Sequence, residues 1–240
     1  MIISRLHNFV FIKTHKTAGS SMETALASHA GPDDLVTPFG VEEEMARYRA
    51  FPNAFPRNYC ADKSLEAAYR DAIANGDEDG SHKAFRALKD TSKRPGFGRH
   101  GGAKLAQRFA GEALWNSAYK FTIERHPYEK AVSLAWFERR QRDFAISLDS
   151  VLEHKRYRNF DLYAMDEKPV VDFIIRFEKL AEDTVIVEKA IGLDIVSRLP
   201  RQKSQHRLDP RPAREVLTEA QKKSVQATCR EEFELFGYEP

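Results

Sequence analysis

A cluster of cationic and hydroxyl residues near the start of the chain has the composition of an anion-binding loop. Residues 13–21 read KTHKTAGSS and directly follow the apolar run FVFI. Lys13 and Lys16 supply positive charge, and Gly19 lets the backbone approach a ligand closely. A helix beginning here would point its first amides and the positive end of its dipole at the same ligand. The pattern predicts a site for a phosphate or sulfate group. Further donors would come from Thr14, Thr17, Ser20 and Ser21.

The order of residues in this loop disfavours a nucleoside triphosphate as its ligand. A triphosphate P-loop has the pattern G-x-x-x-x-G-K-[ST], in which the lysine directly follows the last glycine. Here Lys16 precedes Gly19, so its ammonium leaves the chain at the start of the turn. Two alternatives stay open at this point. One is an ordinary strand-to-helix connection with a serine-capped helix, and the other is a small-molecule kinase that uses the loop for a nucleoside triphosphate.

A second strand-to-helix transition carries another pair of potential anion ligands. Residues 118–124 predict a strand, and residues 127–140 predict a helix with proline in its first turn. Arg125 lies between them, where ligands bind at the carboxyl ends of strands in open α/β sheets. Ser133 lies about two turns inside the helix. A guanidinium fork and a hydroxyl could thus reach one phosphate from different sides.

Together, KTHKTAGSS and ERHPYEKAVSLAWF (124–137) resemble the paired signatures of sulfotransferases that use 3′-phosphoadenosine 5′-phosphosulfate (PAPS), and most closely those of the carbohydrate sulfotransferases. The resemblance implies that Arg125 and Ser133 bind the 3′-phosphate. It implies that the 5′-phosphosulfate is bound by Lys13, Thr14, His15, Lys16, Thr17, Ala18, Gly19, Ser20 and Ser21. FIIRFEKLAED (173–183) and CREEFELFGY (229–238) resemble later parts of the family. His15, Cys229 and Glu232 depart from its common residues, which are proline, tyrosine and aspartate.

The reaction implied by this resemblance is transfer of the sulfuryl group from PAPS to a hydroxyl of an acceptor, expected to be a saccharide or glycan. Charge building on the leaving phosphate needs a cation, and Lys16 is predicted to supply it. The acceptor hydroxyl needs a general base. His100, in the glycine-rich segment PGFGRHGGAKL, is predicted for that role because related glycan sulfotransferases carry a catalytic histidine in a similar segment. A histidine that only contacts the following helix is the structural alternative, and other candidate bases are His15, Glu23 and His29.

Three further groups of residues carry predictions of their own. Residues 197–207 are strongly basic, and the resemblance adds Lys203, Ser204 and His206 to the PAPS site as part of a late loop that closes over the nucleotide. This run and residues 155–158 would serve instead in a nonenzymatic binder of nucleic acid or another polyanion. Core packing, rather than stacking on a base, is expected for the aromatic residues Trp115, Trp136 and Phe137.

The scaffold predicted to position these residues is a single α/β domain over residues 1–240. We expect three α/β/α layers around a mostly parallel sheet, P-loop-like in its first strand–helix unit. The remaining predicted strands cover residues 8–14 and 170–177, and the predicted helices cover about 20–28, 180–191 and 218–236. Residues 31–98 have a different texture, with turn-rich segments between short amphipathic pieces. They predict an insertion of short helices and loops that contributes to the acceptor site.

Composition limits the class of protein. The 240 residues are 42% hydrophobic, and 38 basic against 36 acidic side chains give a formal net charge of +2. That balance disfavours general nucleic-acid binding. The two cysteines have no metal-ligand spacing, so we expect neither a disulfide framework nor a metal cofactor. No apolar run long enough to span a membrane and no secretory signal is recognised. The expectation is a soluble cytoplasmic enzyme without a membrane span, whose oligomeric state stays open.

Overall fold

The apolar runs pair into a five-stranded mixed sheet. A computed structural model of the chain describes residues 1–90, 100–141, 146–200 and 209–239. The strands are β1 (Ile2–Ser4), β2 (Phe9–Ile12), β3 (Leu35–Val36), β4 (Tyr119–Glu124), β5 (Ala164–Met165), β6 (Lys168–Pro169) and β7 (Phe173–Arg176). Strands β5 and β6 form a separate two-stranded sheet, and the other five lie in the order β3-β1-β2-β4-β7.

The parallel part of the sheet places the two predicted anion-binding segments side by side. Strands β2, β4 and β7 are parallel, with Ile12 opposite Thr122 and Glu124 opposite Arg176. The loop after β2 and Arg125 after β4 therefore leave the same edge of the sheet. Strand β1 is antiparallel to both β2 and β3. The sequence did not predict β1, and β3 lies inside the segment predicted to be a helical and loop insertion.

Helices account for most of the remaining described residues. They are α1 (Gly19–Ala27), α2 (Val41–Ala50), α3 (Lys63–Ala74), α4 (Glu78–Asp90), α5 (Gly102–Ala110), α6 (Glu112–Ser117), α7 (Pro127–Gln141), α8 (Leu148–Glu153), α9 (Phe160–Tyr163), α10 (Leu180–Ile191), α11 (Ala213–Val216), α12 (Glu219–Thr228) and α13 (Arg230–Phe236). The helices predicted near 20–28, 127–140 and 180–191 are confirmed as α1, α7 and α10. None of the helices in the described ranges is both long and apolar enough to cross a bilayer.

Alternating strand residues form two apolar clusters, one on each face of the sheet. On one face, Phe11 and Phe121 pack with Met22 of α1 and Val187 of α10. On the other face, Val10 and Ile12 pack with Ala106 of α5 and with α9 residues Phe160 and Tyr163. Helices thus cover both faces, and the buried ends of β2 and β4 hold the loops that follow them.

One prediction about a helical segment is wrong, and one turn-rich segment of the predicted insertion is helical. In that segment, NGDEDGSH (75–82), α4 begins at Glu78. The predicted single helix 218–236 is broken at Cys229, whose backbone (φ −112°, ψ 31°) separates α12 from α13. Burial of Cys229 and Glu232 accompanies this break, and it directs the Glu232 carboxylate into the interior. Residues 91–98 of the predicted insertion lie outside the described residues.

Candidate anion-binding site

The loop between β2 and α1 has a backbone shape that favours anions. Lys16 (φ 61°) and Ala18 (φ 63°) both adopt the left-handed conformation, and such local alternation gathers successive amides around a concave surface. Ala18, not a serine, is the N-cap of α1, and no side chain caps this helix. Within the described ranges, the amides of residues 17–20 donate no hydrogen bond. A serine-capped connection is therefore not what forms here.

Lys13 lies beneath the loop rather than at its surface. Its side chain is 4% exposed, and its Nζ is 2.6 Å from Oε2 of the fully buried Glu23. The same ammonium donates to Ser20 Oγ over 3.0 Å and lies 4.3 Å from the centre of the Phe39 ring. The other oxygen of Glu23 accepts from Thr37 Oγ1 and contacts the Met1 amino group. In this arrangement the charge of Lys13 reaches the loop through Ser20.

Two of the predicted hydroxyl ligands fasten the loop to the neighbouring strand. Thr14 Oγ1 is 2.8 Å from Thr17 Oγ1 and donates to the carbonyl of Ile123 in β4. Both threonines are buried. Ser20 and Ser21 are half-buried at the start of α1, so they keep partial access to solvent.

Lys16 connects the loop to helix α7. Its Nζ lies 4.4 Å from the centre of the Phe137 ring, a cation–π distance. Phe137 is 49% exposed, so the expectation that it packs in the core is wrong, whereas Trp115 is buried as expected, with 7% exposure. Trp136 is half-buried.

One face of α7 lines up the residues of both predicted half-sites. Glu129, Ser133 and Phe137 follow one another at four-residue intervals, a spacing that places side chains on the same face of a helix. Arg125 Nη2 donates to Glu129 Oε2 over 3.1 Å, and Lys16 covers Phe137. Ser133 is half-buried between these levels. Arg125 and Lys16 therefore reach the same helix on either side of Ser133.

His100 lies directly on the loop. Its Nδ1 is 3.1 Å from the carbonyl oxygen of Lys13, and because a carbonyl can only accept, Nδ1 carries the proton and Nε2 keeps its lone pair. The ring stacks on His15 with centroids 3.9 Å apart. Burial, with the nearby charges of His15 and Lys13, lowers the pKa of His100 to about 2. Its imidazole is thus neutral at physiological pH.

The other candidate bases lie in different surroundings. Glu23 is committed to the buried ion pair with Lys13. His29 Nε2 is 2.8 Å from the carbonyl of Asp194, at the opposite end of α1 from the loop. Lys203, Ser204 and His206 lie outside the described residues. Among the residues that are described, no group of three or more His, Cys, Asp or Glu side chains is arranged to hold a metal ion.

Sequence reasoning missed Asn159, which touches the loop directly. Its side-chain amide accepts from the His15 amide over 2.9 Å and donates to the His15 carbonyl over 3.0 Å. Asn159 is fully buried and directly precedes α9. No motif connects a residue so far along the chain to the loop, so only the three-dimensional fold brings it there.

Comparison with known proteins adds no relative: no family model, no curated protein and no solved structure matches this chain. The resemblance to sulfotransferases therefore rests on the sequence motifs alone.

Proposed function

We propose that this protein is a PAPS-dependent sulfotransferase that transfers the sulfuryl group to a hydroxyl, with a saccharide or glycan as the acceptor class. The preference for a saccharide comes from the sequence resemblance. In this proposal the unit of β2, loop and α1 acts as a P-loop-like cradle for the 5′-phosphosulfate. Arg125 and Ser133 hold the 3′-phosphate.

The observation that carries the proposal is the juxtaposition of two anion-binding groups along α7. The loop contacts this helix through Lys16, which lies over the Phe137 ring. Arg125 contacts the same helix at Glu129. Glu129 and Phe137 are eight residues apart in the sequence, which corresponds to about 12 Å along the helix axis. A ligand with anionic groups at two ends of one nucleoside suits this arrangement better than a single phosphate does.

The chemistry required of this site is an in-line displacement at sulfur. The acceptor oxygen forms the new S–O bond, the S–O bond to the 5′-phosphate breaks, and adenosine 3′,5′-bisphosphate leaves with the bonding electrons. Lys16 and the loop amides would stabilise the charge that builds on the leaving phosphate oxygen. Their contribution depends on the loop being held in position before the reaction, because preorganised donors need no rearrangement.

His100 is suited to accept the proton of the acceptor hydroxyl. The hydrogen bond from Nδ1 to the Lys13 carbonyl leaves Nε2 unprotonated, as a general base requires. In the ligand-free protein the low pKa of His100 makes its imidazole a weak base. A bound phosphosulfate would add negative charge beside the ring and would raise that pKa, because a nearby anion favours the protonated form.

Calorimetric titration with adenosine 3′,5′-bisphosphate tests the proposal. We expect the wild-type protein to bind it, and Lys16→Ala and Arg125→Ala each to weaken binding by about tenfold or more, as loss of a charge-assisted contact would. Lys222→Ala is a matched control, because Lys222 lies on α12, where it pairs with the exposed Glu219. Unchanged affinity in both test variants, or no binding by the wild type, would contradict the proposal.

The same titration with ATP and magnesium separates the kinase alternative, which tighter binding of ATP than of the bisphosphate would favour. The ion pairs of the basic segment after α8 (155–158) argue against the polyanion alternative. Arg156 pairs with Glu138, and Arg158 pairs with both Asp161 and Glu231. These carboxylates already neutralise charge that a polyanion would need.

A further inference from the structure

Asn159 holds the backbone of the loop in the manner of a strand partner. Its single amide group bonds both to the amide and to the carbonyl of His15, at 2.9 and 3.0 Å. His15 directly precedes Lys16, whose backbone is in the left-handed conformation. Fixing the peptide groups on both sides of His15 therefore also fixes where the Lys16 side chain begins and where the His15 ring meets His100.

Asn159 can serve the loop because another residue performs its usual task. It occupies the N-cap position of α9, yet its side chain makes no capping hydrogen bond there. Glu232 of α13 takes that place, since its Oε1 accepts from the amides of Asn159 (3.0 Å) and Phe160 (3.2 Å). A carboxylate from a distant helix thus caps α9 and leaves the asparagine amide available to the loop.

We call the two hydrogen bonds between the Asn159 side chain and the His15 backbone the clamp. A buried polar network connects the clamp to the second half-site, Arg125 and Ser133. Lys130 Nζ lies 2.8 Å from Glu124 Oε1 and 3.3 Å from Glu232 Oε1, and all three side chains are fully buried. Glu124 Oε1 also accepts from Asn159 Nδ2 over 3.3 Å and from the Arg125 amide over 2.8 Å. Glu124 directly precedes Arg125, and Lys130 lies one helical turn before Ser133.

The charges in this network are mutually dependent. Burial raises the pKa of Glu124, against the influence of Lys130. Burial also acts to lower the pKa of Lys130, but Glu124 and Glu232 outweigh it, and the pKa is raised. The lysine therefore keeps its proton and holds both carboxylates in place. Each carboxylate in turn fixes one end of Asn159, at its backbone or at its side chain.

We propose that Asn159 is a positioning residue that sets the loop relative to Arg125 and Ser133, and that the Glu124–Lys130–Glu232 network holds it there. This inference rests on the proposed function, because it assigns Asn159 to the 5′-phosphosulfate half of that site. Loss of the asparagine amide should relax the loop while leaving Arg125 and α7 supported. The defect should therefore fall on one half of the nucleotide.

Calorimetry with three nucleotides tests this division, using adenosine 3′,5′-bisphosphate, adenosine 5′-monophosphate and adenosine 3′-monophosphate. We expect Asn159→Ala to lower affinity for both 5′-phosphorylated ligands by about tenfold, as the loss of buried hydrogen bonds would. Affinity for the 3′-monophosphate should change little. Asn58→Ala is the matched control, because the Asn58 side chain also donates to two backbone carbonyls of a loop, those of Pro32 and Asp34. That loop follows α1 and is not the one between β2 and α1. This control should leave all three affinities unchanged.

Hydrogen exchange of the His15 amide, followed by NMR in the ligand-free protein, gives a readout that does not depend on nucleotide. We expect protection in the wild type and faster exchange in Asn159→Ala. Should the alanine variant not fold, Asn159→Leu keeps a side chain of similar size, adds no charge beside Glu124 and loses both hydrogen bonds to His15, and it should show the same selective loss of 5′-phosphate affinity. Equal loss for 3′ and 5′ ligands, or unchanged affinities together with unchanged exchange, would overturn the inference. A wild type that binds no nucleotide while the exchange effect persists would overturn the proposed function and leave the clamp itself intact.

Discussion

The imidazole rings of His15 and His100 stack with their centroids 3.9 Å apart and their planes 21° from parallel. His100 comes from the segment before α5, and His15 belongs to the loop after β2. Because His100 also bonds to the Lys13 carbonyl, it is attached to the loop at two points. The candidate base and the candidate cation Lys16 are therefore connected through the same loop.

The burial of His100 makes stability depend on pH. Its pKa is about 2 in the folded chain, whereas an unfolded histidine titrates near about 6.5. Between these values the unfolded chain binds a proton that the folded chain does not, so the free energy of unfolding falls as pH falls. We expect His100→Gln to reduce the pH slope by up to about 1.4 kcal/mol per pH unit between about pH 4 and 6. Urea unfolding at several pH values measures both slopes, and equal slopes would contradict the assignment.

We expect replacement of Lys13 to lower the free energy of unfolding strongly, although the sequence suggests Lys13 as a ligand contact. The reason is its buried ion pair with Glu23. Lys13→Met removes the ammonium beside a fully buried carboxylate, which we expect to lower the free energy of unfolding by about 3 kcal/mol. Glu23→Gln removes the carboxylate that also contacts the buried Met1 amino group, so the double variant should lose more stability than Lys13→Met alone but less than the sum of the two single variants. Urea unfolding of the single and double variants gives the coupling. If the two substitutions were simply additive, the pair would not be the structural ion pair described here.

Much of the parallel part of the fold was predictable because its residues carry local signals. The β2–α1 and β4–α7 units combine apolar strands with a glycine-containing loop or a first-turn proline, and the structure confirms both. Strand β3 has only two residues, too few for a periodic pattern. Helix α4 begins within NGDEDGSH, whose turn-forming residues masked the amphipathic pattern that follows.

The candidate site was predictable where a motif is contiguous and unpredictable where the fold brings distant residues together. Lys16, Arg125 and Ser133 stand out by type and spacing. The burial of Lys13 could not be foreseen, because it depends on Glu23 and on Phe39 from the segment after β3. Asn159 reaches His15 only through a capping exchange with Glu232, and that exchange has no local sequence signal.

We expect Glu129 to compete with the proposed 3′-phosphate for Arg125. Its Oε2 accepts from Arg125 Nη2 over 3.1 Å, and its Oε1 accepts from the Ala213 amide over 2.9 Å. Glu129→Gln keeps an acceptor for that amide but removes the negative charge. We expect affinity for adenosine 3′,5′-bisphosphate to rise by up to about fivefold, because a partly exposed ion pair is worth up to about 1 kcal/mol. Calorimetry measures the change, and weaker binding would mean that Glu129 supports Arg125 rather than competing with the ligand.

Gly19→Ala tests how tightly the buried lysine fits under the loop. A Cβ at this position would lie 2.8 Å from Lys13 Cγ and 3.3 Å from Cε. The lysine stem cannot swing aside without disturbing its contacts with Glu23 and Ser20. Helix propensity alone would predict a gain of up to about 1 kcal/mol for alanine. We expect a net loss of about 1 to 3 kcal/mol in the free energy of unfolding, together with weaker bisphosphate binding.

Two further variants separate this steric effect from a general cost of replacing glycine. Gly40 has nothing within 4 Å of a built Cβ and has φ −67° at the start of α2, so Gly40→Ala should change stability little. In a Lys13→Met background the stem is no longer anchored by its ammonium and can yield to the new methyl group. Gly19→Ala should therefore cost less there than in the wild type, a non-additivity expected for groups in contact. Urea unfolding of the wild type, Gly19→Ala, Lys13→Met and the double variant measures this non-additivity. An equal cost of Gly19→Ala in both backgrounds would place the strain in the backbone of α1 rather than against Lys13.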